Sequence, residues 1–541
     1  MAQKKSVPIV DGHYVGNLSE YTQQAILHTT SQQCIPKLKH MICTFPYDLI
    51  DKADEKDMSV LEYCRENNID IKQYWGELRD YQTVGTGFLY LSPFSMLGDG
   101  VGIGKTVEVA ALLNMLRMTK EMSRVLIAVE TGAVQQFVRE MKRFTGMRVI
   151  ELPSQAAPMK KVIDKTDWSK VDIIVTKHTA LKNNTFLTWL GANVYYDEQS
   201  RKRNNLYDVV ILDESSVIKS DSTQQYTYTK AVMEMASRAH LLNATAFETC
   251  IFDIYYQMAM IIPEALPPKS HISKEYCVYQ RNYFWKTVGG KPQQFQKFDL
   301  AGYKNQEAFK EKLKLFYFAR SIKEVGMTSD NMYLVSEITP TQEQMKLIKK
   351  GYRANEVLND PSLIPDIELK TTPDDVPKLQ RLISLCLSDF RNSKILIYCF
   401  HVNAQMTIAN ILRAAGKNVE IINGNTKDKD KVKIQESFNH GDTDILITNA
   451  KRSLNLYGGE VCIMYSLEAV PAKMEQIRGR MDRHVDDKKR YFVLMYYLFT
   501  FEYSLFFGTA SSRNKASKEL TVDYQSAVDL FLQAAENGDK V

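Results

Sequence analysis

The 541-residue chain is predicted to fold as two parallel-sheet α/β lobes, flanked by an N-terminal accessory region and a helical C-terminal tail. Three observations predict this. Short β-branched runs (Val125-Leu-Ile-Ala-Val129, Ile173-Ile-Val175, Val209-Val-Ile-Leu212) alternate with polar or helical segments such as Val134–Phe144. Strands that are apolar without alternation belong to sheets covered on both faces. The rhythm then returns after residue 378, in Ile395–Tyr398, Val419–Ile422, Ile445–Ile447, Val461–Met464 and Tyr491–Met495. Only the first stretch carries a Gly-rich loop, Gly98-Asp-Gly-Val-Gly-Ile-Gly-Lys-Thr106, placed after the apolar run Phe88–Leu91 and before the helix-like run Val107–Leu113.

These patterns divide the chain. Residues 1–75 hold no catalytic pattern and one candidate helix, Leu61–Asn68. Residues 76–265 form the first lobe. Residues 266–377 lose the alternation, and Pro267-Pro268, Gly289-Gly290 and many aromatics read as an insertion or linker. A helix is expected there at Gln342–Tyr352, before a Pro/Asp-rich stretch, Asp360–Pro377. Residues 378–500 form the second lobe, and 501–541 the helical tail.

The length exceeds what one core supports. An apolar fraction of 44% and a charged fraction of 25% are ordinary for a globular protein. No apolar run reaches the roughly 18 residues that span a bilayer, and no signal-peptide core follows Met1. A non-secreted, cytoplasmic protein without a membrane partner is expected. The eight cysteines form no CxxC pair and read as reduced, buried thiols. A net charge of +5 permits nucleic-acid binding without arguing for it.

In the Gly-rich loop, glycines let backbone amides converge on an anion, Lys105 offers a point charge to outer phosphates, and Thr106 a hydroxyl to magnesium. The strict phosphate-loop pattern fails at one place, because Asp99 stands where the first glycine belongs; a merely structural turn is the bland alternative. Asp213-Glu214-Ser215-Ser216 directly follows the strand Val209–Leu212. Acids at a strand's carboxyl end point into the crevice where open α/β sheets bind ligands, so Asp213 could hold a metal and Glu214 polarise water. Read alone, the tetrapeptide is equally a solvated turn. In Gln476-Ile-Arg-Gly-Arg-Met-Asp-Arg483, Arg480 and Arg483 share a helix face and could neutralise a transferring phosphate, or simply form a basic surface helix.

In this order the residues resemble superfamily II helicases, and within them the Swi/Snf-like DNA translocases, over roughly residues 76–500. Leu78-Arg79-Asp80-Tyr81-Gln82 resembles the family's opening Leu-Arg-x-Tyr-Gln. Asp99-Gly100-Val101-Gly102-Ile103-Gly104-Lys105-Thr106 is similar to its Asp-Glu-Met-Gly-Leu-Gly-Lys-Thr, where the aspartate is expected. Asp213–Ser220 resembles Asp-Glu-Ala-His-x-x-Lys-Asn, and Leu242–Ala246 resembles Leu-Thr-Gly-Thr-Pro. Lys314–Arg320 looks like the segment bridging two motor lobes, and Gln476–Arg483 like the final Gln-x-x-Gly-Arg-x-x-Arg.

The resemblance implies two RecA-like lobes and ATP and Mg2+ as cofactors. It implies a cleft in which Arg79 and residues 99–106 hold the nucleotide, Gln82 reads the adenine, and Thr106 and Asp213 hold the metal. Glu214 orients water, Lys105, Arg480 and Arg483 stabilise the phosphate, and Thr245 couples ATP to the track. Lys177 and His178, Lys451 and Arg452, and Gln476 are the candidate nucleic-acid or coupling residues. The implied activity is an ATP-dependent DNA helicase or translocase in replication, recombination or repair, with DNA favoured over RNA and a monomer plausible. Four departures stand out. Ser216 replaces a histidine, Ala246 replaces a proline, the Gly-rich segment before the last motif appears as Ala450–Leu456, and no Gly-Gln pair follows Arg483. An RNA helicase or a non-translocating ATP-gated clamp are the alternatives. The compact size resembles a phage or viral branch-processing helicase, which would place the protein in a host cytosol.

Overall fold

In the computed structural model the chain divides into two compact units, the first ending at Ser321. The structure describes residues 42–346, 375–510 and 527–541 with short interruptions (among them 245, 322–323, 326–330, 451–453 and 482–488), together with the strand pair Ile9–Val10 and His13–Tyr14.

The first unit is built on β1 (Phe94–Leu97), β2 (Val125–Val129), β3 (Val149–Leu152), β4 (Ile173–Lys177), β5 (Val209–Asp213) and β6 (Arg238–Leu242). A paired hairpin follows, β7 (Cys277–Val288) and β8 (Lys291–Tyr303), and then a two-residue strand, β9 (Tyr317–Phe318). The seven-stranded sheet runs β9-β1-β6-β5-β2-β4-β3, all parallel. The unbroken apolar runs have a direct cause. In β2, Leu126 and Ala128 enter one core while Val125, Ile127 and Val129 enter the core on the opposite face. With both faces covered, both sides of the pleat favour apolar residues, and each fully buried Val, Leu or Ile contributes about 1.5–3 kcal/mol.

The described part of the N-terminal region is a small cap. Helices α1 (Tyr47–Glu55) and α2 (Val60–Glu66) share a core around Phe45, Ile50 and Cys64. Ser59 and Glu62 form a capping box that starts α2. Next come α3 (Asp80–Leu91), α4 (Lys105–Met118) and α5 (Val134–Thr145). Gly146 ends α5 in the left-handed region, at φ 63°, and a Cβ there would meet Leu61 and Phe45, which seats the cap against α5. The apolar run Phe88–Leu91 is the end of α3, so the strand feeding the Gly-rich loop is β1 instead.

The second unit holds β10 (Met332–Ile338), β11 (Ile395–Tyr398), β12 (Val419–Ile422), β13 (Ile445–Thr448), β14 (Val461–Met464) and β15 (Tyr491–Tyr497). They pair as β10-β15-β14-β11-β13-β12, again all parallel. Two lobes of parallel α/β architecture are therefore what the chain forms.

The expected boundaries shift. Residues 266–377 are not one insertion, because β9 completes the edge of the first sheet and β10 the edge of the second. Strand β9 has only two residues and leaves no periodic trace. The expected helix Gln342–Tyr352 is present over 342–346, and its remainder lies outside the described residues. The tail is helical at Ala527–Asn537, and it is also structural. Val335 in β10 accepts from Val541 N–H at 3.0 Å and donates to the Asp539 carbonyl at 3.0 Å, so the tail lines the edge of the second sheet.

His240 in β6 is fully buried with its Nδ1 2.9 Å from Ser95 Oγ, and burial pushes its pKa down to about 3. It stays neutral when folded, while the unfolded chain binds a proton below about pH 6.5. The stabilisation is complete above that value and is lost as pH falls toward 3. All four tryptophans (Trp75, Trp168, Trp189, Trp285) lie in the first unit, so their fluorescence follows that unit alone. His240→Gln is expected to flatten the loss of urea stability between pH 6.5 and 4 by an amount on the order of a few kcal/mol. An acid limb identical to wild type would contradict it.

Candidate nucleotide site

Strand β1 runs directly into the Gly-rich loop, and α4 begins at Lys105. Gly102 and Gly104 take φ of 90° and 106°, values that side chains rarely adopt. Gly104 has a second constraint, since a Cβ would lie 2.5 Å from Gln82 Nε2. The turn aims the unpaired amides at the start of α4 toward the loop, which with the helix dipole favours an anion. Lys105 Nζ donates to the carbonyls of Asp99 at 2.7 Å and Gly100 at 3.2 Å, holding the ammonium at the loop.

Behind the loop lies a buried charge cluster. Asp99 and Glu108 are both fully buried, and Arg320 stands between them. Arg320 Nε and its backbone N–H each donate to Asp99 Oδ1 at 3.0 Å, and Nη2 reaches both Asp99 Oδ2 and Glu108 Oε1, the latter at 2.7 Å. Nη1 donates to the Tyr81 carbonyl, and Gly100 N–H donates to the Arg320 carbonyl at 3.0 Å. Burial by itself lowers the guanidinium, but Glu108 and Asp99 outweigh it and raise it above its ordinary value. Burial, reinforced by Asp99, lifts Glu108 well above the usual carboxylate range against the pull of Arg320. Gly85 on α3 makes room: a Cβ there would sit 2.5 Å from Glu108 Oε1 and 2.6 Å from Arg320 Nη2.

Gln82 closes the loop's rim. Its Oε1 accepts from Arg79 N–H at 3.1 Å, capping α3, and its Nε2 donates to the Ile103 carbonyl at 3.4 Å. Tyr81 Oη donates to the same carbonyl at 2.9 Å, and the exposed Arg79 reaches Tyr81 Oη at 3.3 Å.

Asp213 and Glu214 end β5, two strands from β1. Asp213 keeps some surface, but desolvation of its carboxyl, reinforced by Glu214 and opposed by Lys105, lifts its pKa to about 7. Glu214 takes φ 50°, a strained value for a residue with a Cβ, which turns its side chain off the line of the strand. A polar network anchors this corner. His178 Nε2 lies 2.7 Å from the Asp213 carbonyl oxygen. Ser215 Oγ donates to Gln257 Oε1 at 2.6 Å, and Asn243 Nδ2 donates to the same oxygen at 3.1 Å. Gln257, fully buried in α7 (Ile251–Ile261; α6 is Gln224–Glu234), returns its amide to the Asp253 carbonyl at 2.8 Å. The acid pair is thus wired to the segment after β6.

The predicted site residues divide into three groups. Residues 99–106, Gln82, Asp213 and Glu214 come together at the carboxyl ends of the first sheet. His178 is buried against the Asp213 carbonyl instead of facing outward as a phosphate contact would, while Lys177 remains partly exposed. In the second unit, Gln476 is buried and so is Arg480, whose Nη1 donates to the Leu454 carbonyl at 3.1 Å. One nitrogen of the Arg480 guanidinium thus serves a backbone acceptor within its own unit. Thr245, Lys451, Arg452 and Arg483 lie outside the described residues.

Sequence reasoning passed over Glu108, Asn243 and Gln257, and read Arg320 only as part of a bridging segment. A charge inside Val107–Leu113 and an amide inside the apolar helix α7 were the available signals.

Residues 81–263 match the SNF2-related domain and residues 377–485 the helicase conserved C-terminal domain, so the chain carries that pair in that order. The zebrafish (Danio rerio) DNA excision repair protein ERCC-6-like is 31% identical over 187 residues, 33% of this chain and 12% of that protein. The human protein of that name is 24% identical over 213 residues, 38% of this chain and 16% of its own length. The uncharacterized ATP-dependent helicase YqhH of Bacillus subtilis is 23% identical over 183 residues, 34% and 28% respectively. The chain spans no more than 28% of the length of these relatives. The Sulfolobus solfataricus SWI2/SNF2 ATPase core, solved in complex with dsDNA, aligns over 82% of this chain and 96% of that one at 16% identity, with a TM-score of 0.37.

Arg320→Leu leaves two buried carboxylates without their cation, and should cost about 3–5 kcal/mol in the stability of the first unit. Arg320→Lys keeps the charge but loses the fork, and should fall between the two. Tryptophan-monitored urea melts measure both; an unchanged Arg320→Leu profile would overturn the assigned role of the cluster.

Proposed function

We propose that the chain is an ATP-driven motor acting on DNA. One observation supports this most: a Gly-rich anion loop with Lys105 and the Asp213–Glu214 pair stand at the carboxyl ends of β1 and β5, separated only by β6 in one parallel sheet, in a chain carrying SNF2-related and helicase C-terminal domains. The donor set fits magnesium-bound ATP. Magnesium takes one or two carboxylates and completes its shell with phosphates and waters, and Asp213 is a crowded acid that a cation would ionise.

In this reading the amides around Gly102 and Gly104 bind the phosphates, and Lys105 exchanges its two carbonyl partners for phosphate oxygens. Thr106 and Asp213 would hold magnesium, which when bound neutralises charge on the triphosphate. Glu214 orients and deprotonates the attacking water. Ser215, Gln257 and Asn243 pass the state of the acid pair to the segment that contains Thr245, the position that in the resembled family couples ATP to the track. The buried Ser216 stands where that family has histidine, and beside it the Ser215–Gln257 bridge is one connection this chain offers.

ATP hydrolysis measured with no polymer, single-stranded DNA, duplex DNA, a four-way junction and RNA tests the reading. Duplex or branched DNA is expected to stimulate most, and Lys105→Ala and Glu214→Gln to lower turnover by about 100-fold or more. Stimulation by RNA alone would move the chain to RNA helicases, and indifference to every polymer would favour an ATP-gated clamp. Gln257→Leu should reduce stimulation by DNA about 3- to 30-fold, and more than it reduces hydrolysis without polymer. Equal losses in both would mean that Gln257 serves only the hydrolytic corner.

A further inference from the structure

The hairpin β7–β8 is an extended ribbon in the first unit. Its twelve residue pairs, from Cys277↔Tyr303 to Val288↔Lys291, reach about 40 Å at roughly 3.3 Å per residue. The base is covered: Cys277 is buried, and Leu300 and Tyr303 pack against the main core.

Cross-strand partners share a face of a ribbon. Tyr279, Arg281 and Tyr283 therefore lie on one face with their partners, which include Phe298 opposite Arg281. That face is open to water and rich in rings. Tyr283 is 56% exposed, Phe298 55% and Tyr279 41%. The Arg281 guanidinium lies over the Phe298 ring at 5.5 Å and reaches Tyr283 Oη at 3.5 Å, joining rings and cation in one strip. The opposite face is polar at the same level, where Asn282 and Lys297 both bond Asp299. Over residues 277–303 the sequence holds four basic residues and a single acid, Asp299, which is already engaged by Lys297.

We infer that this face binds an unpaired strand of DNA by stacking its bases on Tyr283 and Phe298, with Arg281 between them. The inference rests on the DNA-acting reading above and adds the contact that engages a displaced or single strand. Half or more of the Tyr283 and Phe298 surface stays in water even with Arg281 beside them, and the π-face of any base can cover that surface without sequence preference. The ribbon's positive balance suits a phosphate backbone running beside the stacked bases. Stacked bases inside a duplex hide their faces, so the strip favours an unpaired strand over a blunt duplex.

The test is the affinity of the full chain for fluorescein-labelled oligothymidylate and for a labelled blunt duplex, by anisotropy at fixed salt. Tyr283→Ala/Phe298→Ala should weaken oligothymidylate binding at least about fivefold per ring removed and change duplex binding far less. Tyr283→Phe/Phe298→Tyr, which keeps both rings, should retain wild-type affinity. Both side chains are exposed, and tryptophan-monitored melts check that the variants fold. If the alanine variant binds oligothymidylate as wild type does, or loses both ligands equally, the inference fails while the motor reading stands. Concentration-dependent self-association that disappears in the alanine variant, with DNA binding intact, would assign the face to a second copy and also overturn it. If wild type binds neither DNA, both readings fall.

Discussion

A guanidinium held between two buried carboxylates is the constraint on which the first unit depends. Asp99, Arg320 and Glu108 come from the Gly-rich loop, the strand-end segment 221 residues later, and the first turn of α4. Each charge would be costly to bury alone, and together they are tolerable only in this geometry. The cluster fixes the loop from behind. Gly100 donates to Arg320, a Cβ on Gly98 would run into the Tyr317 ring, and the Asp99 carbonyl faces Lys105. With its back secured, the loop leaves its amides for an anion, which is the preorganisation that phosphate binding requires. The arrangement also makes the first unit a closed topological object. The loop's support is supplied by its last described segment, so 94–320 must fold together before the site is formed.

The acid pair is held by a different kind of interaction. The Asp213 carbonyl oxygen lies against His178, and the adjoining Ser215 donates to Gln257, which also accepts from Asn243. Such bonds can be exchanged at little cost, whereas the Arg320 cluster cannot be opened without stranding charge. The contrast suits the division of work: a stiff cradle for phosphate, and an adjustable corner where the state of the nucleotide is read and passed on.

Much of this was legible in the sequence, and the reasons are physical. Strands such as Val125–Val129 and Ile395–Tyr398 are continuous apolar runs because both sheet faces are covered, so two parallel lobes followed directly. The Gly-rich loop and the Asp213–Glu214 pair could be read because backbone conformation and metal chemistry restrict which residues can stand there. The supports were not legible. Strand β9 has two residues, Glu108 looks like one charge in an apolar helix, and Gln257 looks like a surface amide until three elements close around it. His178 and Arg480 were assigned outward roles by motif position, yet each is buried on a backbone oxygen. Motif spacing places a residue at a strand or helix end, and only packing decides which way its side chain turns.

The most direct test of the account is a structure of the full chain with magnesium and a non-hydrolysable ATP analogue. The account predicts Lys105 Nζ transferred from the Asp99 and Gly100 carbonyls to the outer phosphates, with Arg320 still bonded to Asp99 and Glu108. Phosphates bound elsewhere in the chain, or a cluster that opens when nucleotide enters, would contradict it.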